Sequence, residues 1–323
     1  MIDQERLERI KTAYALAIRG NMEDKYRKGE LIELPPQGDI VVLGDLHGNS
    51  ANFQKIVKMI QLDKAPNRHL LLQEPTHTTE AREDKSFFLI EEIVELKSKY
   101  PDQVHIILGN HELSEIKLFE DHDEKYERHA ITKGGICYNI LFRNSMKQEY
   151  GIHEEELREL MINFMQTMPI ACLCPNRIFI SHSIPPLKYV HHYNLDFFRN
   201  DAKDPKAKAM IDKLVWGRDL TQKAADEFAK RVSCDILIVG HTACKQGFQI
   251  PNDKMIILDS KGVFATFMHF NLTKMYTHQE IRSSKYLKHL NPKEIQKFIQ
   301  YQKEKEEERA LREQEEMDES SDS

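Results

Sequence analysis

The chain of 323 residues is expected to fold as an α/β protein, and three observations lead there. Short apolar runs occur at 39–43, 69–72 and 104–108, each the length of a buried strand. Every run ends in a polar turn, after which helical periodicity resumes, so strand, turn and helix alternate. The turns carry histidine, carboxylate and amide side chains, so the polar chemistry collects at the carboxyl ends of the strands.

Taken in order, Ile2, Leu7, Ile10, Tyr14, Ala17 and Ile18 stand near helical spacing with charges between them. They predict an amphipathic helix within 1–30 that ends at Gly20. Pro35, Pro36 and Gly38 make 31–39 a turn-rich lead-in. The strand at 39–43 runs into Gly44-Asp45-Leu46-His47-Gly48-Asn49, and a helix follows over 50–61. The strand at 69–72 runs into Gln73-Glu74-Pro75-Thr76-His77, followed by a helix over 85–99. The strand at 104–108 runs into Gly109-Asn110-His111-Glu112. Residues 113–168 are charged, helical in pattern and poor in strand signals, which predicts a helical insertion or cap. Strands resume at 177–181, 235–239, 255–258 and 263–270. Beyond Pro292, Ile295, Phe298, Ile299 and Leu311 give only a thin apolar stripe, so 276–323 is expected to be a charged helical tail, disordered at its acidic end.

The formal charge of −6 is concentrated in this tail, where 293–323 hold 6 basic and 11 acidic residues. The nearly neutral remainder argues against a nucleic-acid partner, which needs a concentrated basic surface. No apolar run approaches the roughly 20 residues of a membrane span, and the first residues are charged where a signal peptide is apolar. Cys137, Cys172, Cys174, Cys234 and Cys244 make an odd set without repeated spacing, the pattern of reduced thiols in a cytoplasmic protein. Cys172 and Cys174 alternate along an apolar stretch, which predicts burial.

Five strand ends carry groups that ligate metals: Asp45 with His47, Glu74, Asn110 with His111, His182 and His241. Carboxyl ends of strands in an α/β sheet share one edge, so these groups can meet. A mixture of carboxylates, imidazoles and an amide oxygen suits two divalent ions such as Mn, Fe or Zn. A closed structural zinc site needs four ligands, often thiolates, and no cysteine here follows such spacing. Paired divalent ions are suited to phosphate-ester hydrolysis. A strand-end histidine is common by itself, so His182 and His241 draw their significance from the other motifs.

Gly44-Asp45-Leu46-His47-Gly48, Gly109-Asn110-His111-Glu112 and Gly240-His241-Thr242, each after an apolar strand, resemble the calcineurin-like metallophosphoesterases. The second of these motifs is similar to that of the PPP-type serine/threonine phosphatases and of the symmetrical diadenosine tetraphosphatases. The resemblance covers roughly 38–270. It implies a sandwich of two mixed β-sheets flanked by helices, a metallophosphoesterase domain over 31–275 with its insertion at 113–168. It also implies that Asp45 and His47 bind one metal, that Glu74 bridges both, and that Asn110, His182 and His241 complete the second. His111 would then be the general acid, and attack on phosphorus would come in line from a metal-bridging hydroxide without a phosphoenzyme.

The second family motif, normally Gly-Asp-x-x-Asp-Arg-Gly, reads here Gln73-Glu74-Pro75-Thr76-His77-Thr78-Thr79. Glu74 takes the bridging Asp slot, His77 the slot of the Asp that orients the acid, and Thr78 the Arg slot. Leu108 stands where an arginine often precedes the Asn-His pair, and the His-Gly pair after the fourth strand is reduced to His182-Ser183. Two phosphate clamps are therefore missing, and Arg218 is the candidate that replaces them, because a planar guanidinium holds two phosphoryl oxygens. The resemblance implies a dimetal phosphatase acting on phosphomonoesters, phosphoserine or phosphothreonine in proteins first among them, with small phosphate esters as further substrates. Hydrolysis of a dinucleotide polyphosphate and a binding scaffold with weakened chemistry are the alternatives, the latter resting on the altered second motif.

Overall fold

The computed structural model describes residues 2–78, 83–122, 126–201 and 204–321. Among these the strands are β1 (Arg27–Lys28), β2 (Leu31–Glu33), β3 (Asp39–Asp45), β4 (Arg68–Gln73), β5 (Val104–Ile107), β6 (Thr132–Lys133), β7 (Ile136–Cys137), β8 (Ala171–Cys174), β9 (Ile178–Ser181), β10 (Ile236–Val239), β11 (Phe248–Gln249), β12 (Met255–Leu258), β13 (Thr266–Asn271) and β14 (Leu287–His289). One mixed sheet has the order β1-β2-β8-β9-β10-β12-β11, a second has the order β14-β13-β3-β4-β5, and β6-β7 is a separate hairpin.

The alternation along the strands explains why the sheets stack. In β3, Ile40 and Val42 share an apolar cluster with Ile178, Ile180, Ile236 and Ile238 of the other sheet. Val41 and Leu43, one position out of phase, join Phe53, Ile56, Ile90 and Ile93 of the covering helices. Successive side chains of a strand point to opposite faces, so a strand apolar at every position needs cover on both. Full burial of each such side chain contributes roughly 1.5–3 kcal/mol, and a helix-sheet-sheet-helix sandwich provides it for both sheets at once. The helix Gln4–Met22 buries Leu7, Ile10, Tyr14 and Ala17 and packs on the helices Ser86–Lys99 and Glu154–Gln166. The segment 113–168 contributes Ile116, Phe142, Met146, Leu157 and Met161 to the same core.

Several elements differ from expectation. The first helix runs past Gly20 to Met22. The lead-in at 31–39 contains β2, which pairs in parallel with β8. Strands this short carry no readable periodicity, and only their partners reveal them. The last expected strand begins at Thr266 and not at 263, because Ala265 N–H turns back to the Gly262 carbonyl at 3.1 Å. Cys172 and Cys174 are buried between the sheets, and all five cysteines are free. No helix among the described residues is long and apolar enough to cross a membrane.

The two sheets meet at their carboxyl ends. A Cβ on Gly44 would lie 2.0 Å from the Leu258 carbonyl oxygen, so only glycine permits this approach. Gly44 N–H donates to Ser260 Oγ at 2.9 Å, Ser260 N–H donates to the Asp45 carbonyl at 3.0 Å, and Asp45 bridges Asp259 in parallel.

At the opposite end, Lys97 Nζ is buried against Asp24 Oδ2 (3.3 Å) and the carbonyls of Pro101 (2.6 Å) and Val104 (2.8 Å). His105 Nδ1 stands 3.0 Å from the same Asp24 oxygen. Burial by itself would raise the Asp24 carboxyl, but His105 and Lys97 override it and hold it well below the usual carboxylate range. A depressed carboxylate stabilises the fold above its unfolded value near about 4, and that contribution is lost as pH falls through the acid range. Asp24→Ala, which strands Lys97 as a buried unpaired cation, is expected to cost about 3–5 kcal/mol. Urea unfolding at pH 7 and pH 3 measures both effects, and the variant should lose less stability between the two pH values than the wild type.

Among the described residues the helix Pro292–Ser321 is anchored at its start, by Lys55 to Glu294 (3.0 Å) and by Phe298 edge-on to Phe264 with ring centroids 5.6 Å apart. Residues 300–309 are exposed. The Leu311 side chain and residues 322–323, expected in the stripe and the disordered end, lie outside the described residues. Ending the chain at Ile299 should leave the thermal midpoint nearly unchanged. Ending it at Leu290 should lower the midpoint, because Asn291, whose amide donates to Asn52 Oδ1 at 3.1 Å, is then lost.

Candidate metal centre and active site

Each expected ligand leaves the carboxyl end of a strand. Asp45 closes β3, and His47 lies two residues on. Glu74 follows β4, Asn110 opens the helix Asn110–Glu120 after β5, His182 follows β9, and His241 lies just past β10. Close sheet approach brings these ends together. A Cβ on Gly240 would fall 2.2 Å from Asp45 Oδ1, which instead accepts the His241 N–H at 3.0 Å.

Two ligand groups form, and Glu74 belongs to both. The first contains His47, Glu74 and His111, the second Glu74, His182 and His241, with ligand atoms within 4.8 Å of one another in each. Around His182 Nε2 converge Glu74 Oε2 (2.7 Å), Asn110 Oδ1 (3.0 Å) and His241 Nδ1 (3.1 Å). A single N–H serves one of these acceptors, whereas one divalent cation serves them all. The buried His182 Nδ1 and His241 Nε2 have no hydrogen-bond partner among the described residues, and Glu74 Oε2 approaches His182 Nε2 without hydrogen-bond geometry. His47 Nδ1–H donates to the Thr76 carbonyl at 3.2 Å, which leaves its Nε2 lone pair free to ligate. Asp45 falls in neither group of three; it stands beside the second, its Oδ1 3.8 Å from His182 Nδ1.

The electrostatics suit a divalent pair. Desolvation, followed by the Lys261 charge, pushes His47 down to about 3. Desolvation and the neighbouring His182 charge push His241 down to about 2. His111 is lowered well below its ordinary value and His182 is lowered, burial leading in both. Burial raises Asp45 and Glu74 well above the carboxylate range, and their mutual repulsion adds to it for Asp45. Imidazoles held neutral are ready ligands, and carboxyls that resist ionisation for want of a counter-charge are groups that a divalent ion would deprotonate on binding. The residues therefore fit two divalent ions.

The backbone is strained where these groups are delivered. His47, Glu74, His77 and His241 all adopt positive φ, between 40° and 64°. Non-glycine residues held there cost on the order of 1–3 kcal/mol each and persist only where the surroundings over-determine them. The surroundings do so here: Leu46 and His47 N–H both donate to the Glu74 carbonyl (3.1 and 2.9 Å), and Gly48 N–H donates to that of Pro75 (2.8 Å). Glu112 accepts Thr76 N–H (3.0 Å) and Gly109 N–H (3.1 Å), which ties the second turn to the third.

His111 Nε2 stands 3.1 Å from Glu74 Oε1, and its Nδ1 stands 2.9 Å from His77 Nδ1. His77 Nε2–H donates to Glu115 Oε1 at 2.9 Å. Burial works to lower His77, but its hydrogen bond to Glu115 and that carboxylate's charge leave it raised. Arg218 Nη1 donates to the His241 carbonyl at 3.2 Å, so the guanidinium borders the second ligand group. Trp216 lies edge-on to His241, with ring centroids 6.3 Å apart. A cavity of about 380 Å³ opens beside His47, lined also by Asn49, Ser50, Thr78 and Lys261. Thr79, the last residue of the second motif, lies outside the described residues.

The sequence reading passed over Glu115, Asn139 and Lys261. Glu115 follows His111 by one helical turn, so the i,i+4 spacing would have placed both on one face. Nothing local marks Asn139 or Lys261, which reach the site from another helix and from the β12–β13 loop.

A family model described as calcineurin-like phosphoesterase matches residues 38–245. The chain belongs to this family. The chain is 20% identical to a probable serine/threonine-protein phosphatase of Encephalitozoon cuniculi over 70% of its own length. It spans 47%, about half, of that relative. Among solved structures it resembles a protein serine/threonine phosphatase from Saccharomyces cerevisiae, with a TM-score of 0.57 at 16% identity over 82% of each chain. It also resembles a cold-active protein-tyrosine phosphatase of a Shewanella species, with a TM-score of 0.53 at 15% identity over 78% of this chain and 80% of that one. Both likenesses identify the two-sheet fold.

Because Glu74 is shared by both ligand groups, Glu74→Ala should reduce the divalent ions bound by the metal-reconstituted protein from about two to one or none, read by elemental analysis. Glu74→Asp should also weaken binding, since a carboxylate shorter by one methylene misses ligand distances whose tolerance is about 0.2 Å.

Proposed function

We propose that this phosphoesterase is a dimetal phosphatase of phosphomonoesters, with phosphoserine and phosphothreonine of proteins as its foremost substrates. The observation that carries the reading is the pair of groups joined at Glu74, one with His182 and His241 and one with His47 and His111, of which His111 is read as the acid and the others as ligands. Divalent ions held there supply Lewis acidity at the phosphoryl group and lower the pKa of water.

The chain's own residues do the rest. Asp45, His47, Glu74, Asn110, His182 and His241 hold the ions. His111 stands where its Nε2–H reaches the leaving oxygen and donates a proton to the departing alkoxide. Arg218 and Lys261 both act electrostatically on Glu74. They take over the attraction of the phosphate that the absent family arginines provide. The open cavity at His47 admits an ester carried on a larger body, which favours a protein side chain as the phosphate's owner.

A manganese-supplemented panel of phosphopeptides, p-nitrophenyl phosphate and a dinucleotide polyphosphate tests the substrate class. Phosphopeptide turnover should exceed that of the dinucleotide, and the reverse order rejects the protein-substrate reading. His111→Asn should slow alkyl phosphates by roughly 10²–10⁴-fold, the range of a positioned acid. p-Nitrophenyl phosphate, whose leaving group needs little protonation, should slow far less.

A further inference from the structure

We propose that Glu115 is a positioning residue for the His111 acid, acting through His77 and held in place by Asn139. The inference rests on the reading of His111 as the acid and adds what places its proton. The family slot for this task holds one aspartate; here His77 occupies it, and an imidazole cannot anchor another imidazole unless its own protons are fixed.

The hydrogen bonds fix them. Asn139 Oδ1 accepts the Ile131 N–H at 2.8 Å, so its amide nitrogen is the end that faces Glu115. That nitrogen donates to Glu115 Oε1 at 2.6 Å and to Ser114 Oγ at 3.0 Å. Glu115 Oε1 thus accepts from Asn139 and from His77 Nε2, and an ionised carboxylate only accepts, so His77 Nε2 carries a proton. Glu115 and His77 are both fully buried, their side chains 1% and 0% exposed. A buried carboxylate needs a counter-charge, and a second proton on His77 Nδ1 supplies one. His77 Nδ1–H then donates to His111 Nδ1, which lies 2.9 Å away. His111 is left with its one proton on Nε2, the nitrogen 3.1 Å from Glu74 and facing the ligand groups. Tyr138, stacked on His77 with centroids 6.3 Å apart, and Phe142, edge-on at 5.5 Å, hold the relay ring in plane.

The chain therefore does more than orient a ring. When His111 Nε2–H gives its proton to a leaving oxygen, its Nδ1 takes the proton of His77 Nδ1–H, and His111 ends neutral. No additional charge is created beside the ligand groups, and the His77–Glu115 pair bears the change. Tyr138, Asn139 and Phe142 all come from the helix Tyr138–Tyr150, so the 113–168 insertion is part of the acid's machinery and not only a cover.

Glu115→Gln tests this. The amide oxygen still accepts His77 Nε2–H, so the shape is kept while the charge is removed. His77 becomes neutral, its Nδ1 becomes the acceptor, and His111 is forced to carry its proton on Nδ1. In the metal-free protein, ¹⁵N spectra of labelled histidines, with His111 assigned from His111→Asn, should show His111 Nε2 protonated in the wild type and bare in Glu115→Gln. In the manganese-loaded protein the variant should slow alkyl phosphates by about 10²-fold or more, p-nitrophenyl phosphate far less, and keep the wild-type metal content. Unaltered His111 protonation, or equal slowing of both substrates, overturns the proposal. If the wild type hydrolyses no phosphate ester, the functional reading fails, and the spectra still decide the proton's place. If Glu115→Gln does not fold, Asn139→Ala is read the same way, with a smaller selective loss expected because the carboxylate remains.

Discussion

The site depends on the approach of two strand ends from different sheets. β3 and β12 come so close at Gly44 and Leu258 that a single Cβ would be excluded. The short hydrogen bonds from Gly44 to Ser260 and from Ser260 back to Asp45 hold them there. With that junction closed, Asp45 reaches the His241 backbone across the sheets, and Gly240 leaves room for the carboxylate. A methyl group at either glycine would push the sheets apart and separate ligands that now lie within a few ångström. The sandwich's apolar interior supplies the force that makes the approach favourable, and the glycines remove the steric obstacle.

Closure has an electrostatic consequence. Two carboxylates and several imidazoles are brought into one desolvated space, where the carboxylates rise and most imidazoles fall in pKa. His77 is the exception, because Glu115 is beside it. The site thus separates two kinds of histidine: those that burial keeps neutral, and His77, which Glu115 favours in its charged form. Backbone strain at His47, Glu74, His77 and His241 accompanies this separation. The turns that bear these residues are cross-tied by Glu112 and by their own carbonyls, so the core bears the cost of the strain.

Much of this was legible in the chain. The strand-turn-helix recurrence showed the class, because strands covered on both faces are apolar at nearly every position. Asp45, His47, Asn110, His182 and His241 were legible as candidates because each stands at the end of an apolar strand or within three residues past it; that these ends belong to two sheets was not. Glu74 and His77 were legible as occupants of slots, and their departure from the expected residues was visible as well. The short strands β1, β2 and β8 were not, since two to four residues carry no period and owe their existence to their partners.

What the sequence determined alone was therefore the succession of strand-end motifs and the polar groups they offer, because both follow from local periodicity and from the order of motifs along the chain. What only the tertiary structure decided was which groups touch. That Asp45 meets His241, that Lys261 comes to the mouth, and that Asn139 holds Glu115 against His77 depend on contacts between residues 24 to 212 positions apart. Such contacts leave no local signal, because they are set by how the two sheets close and how the insertion packs over them. Proton placement at His111 lies on this second level: the residue is visible in its motif, but the nitrogen that bears its hydrogen is chosen by a helix that begins 27 residues later.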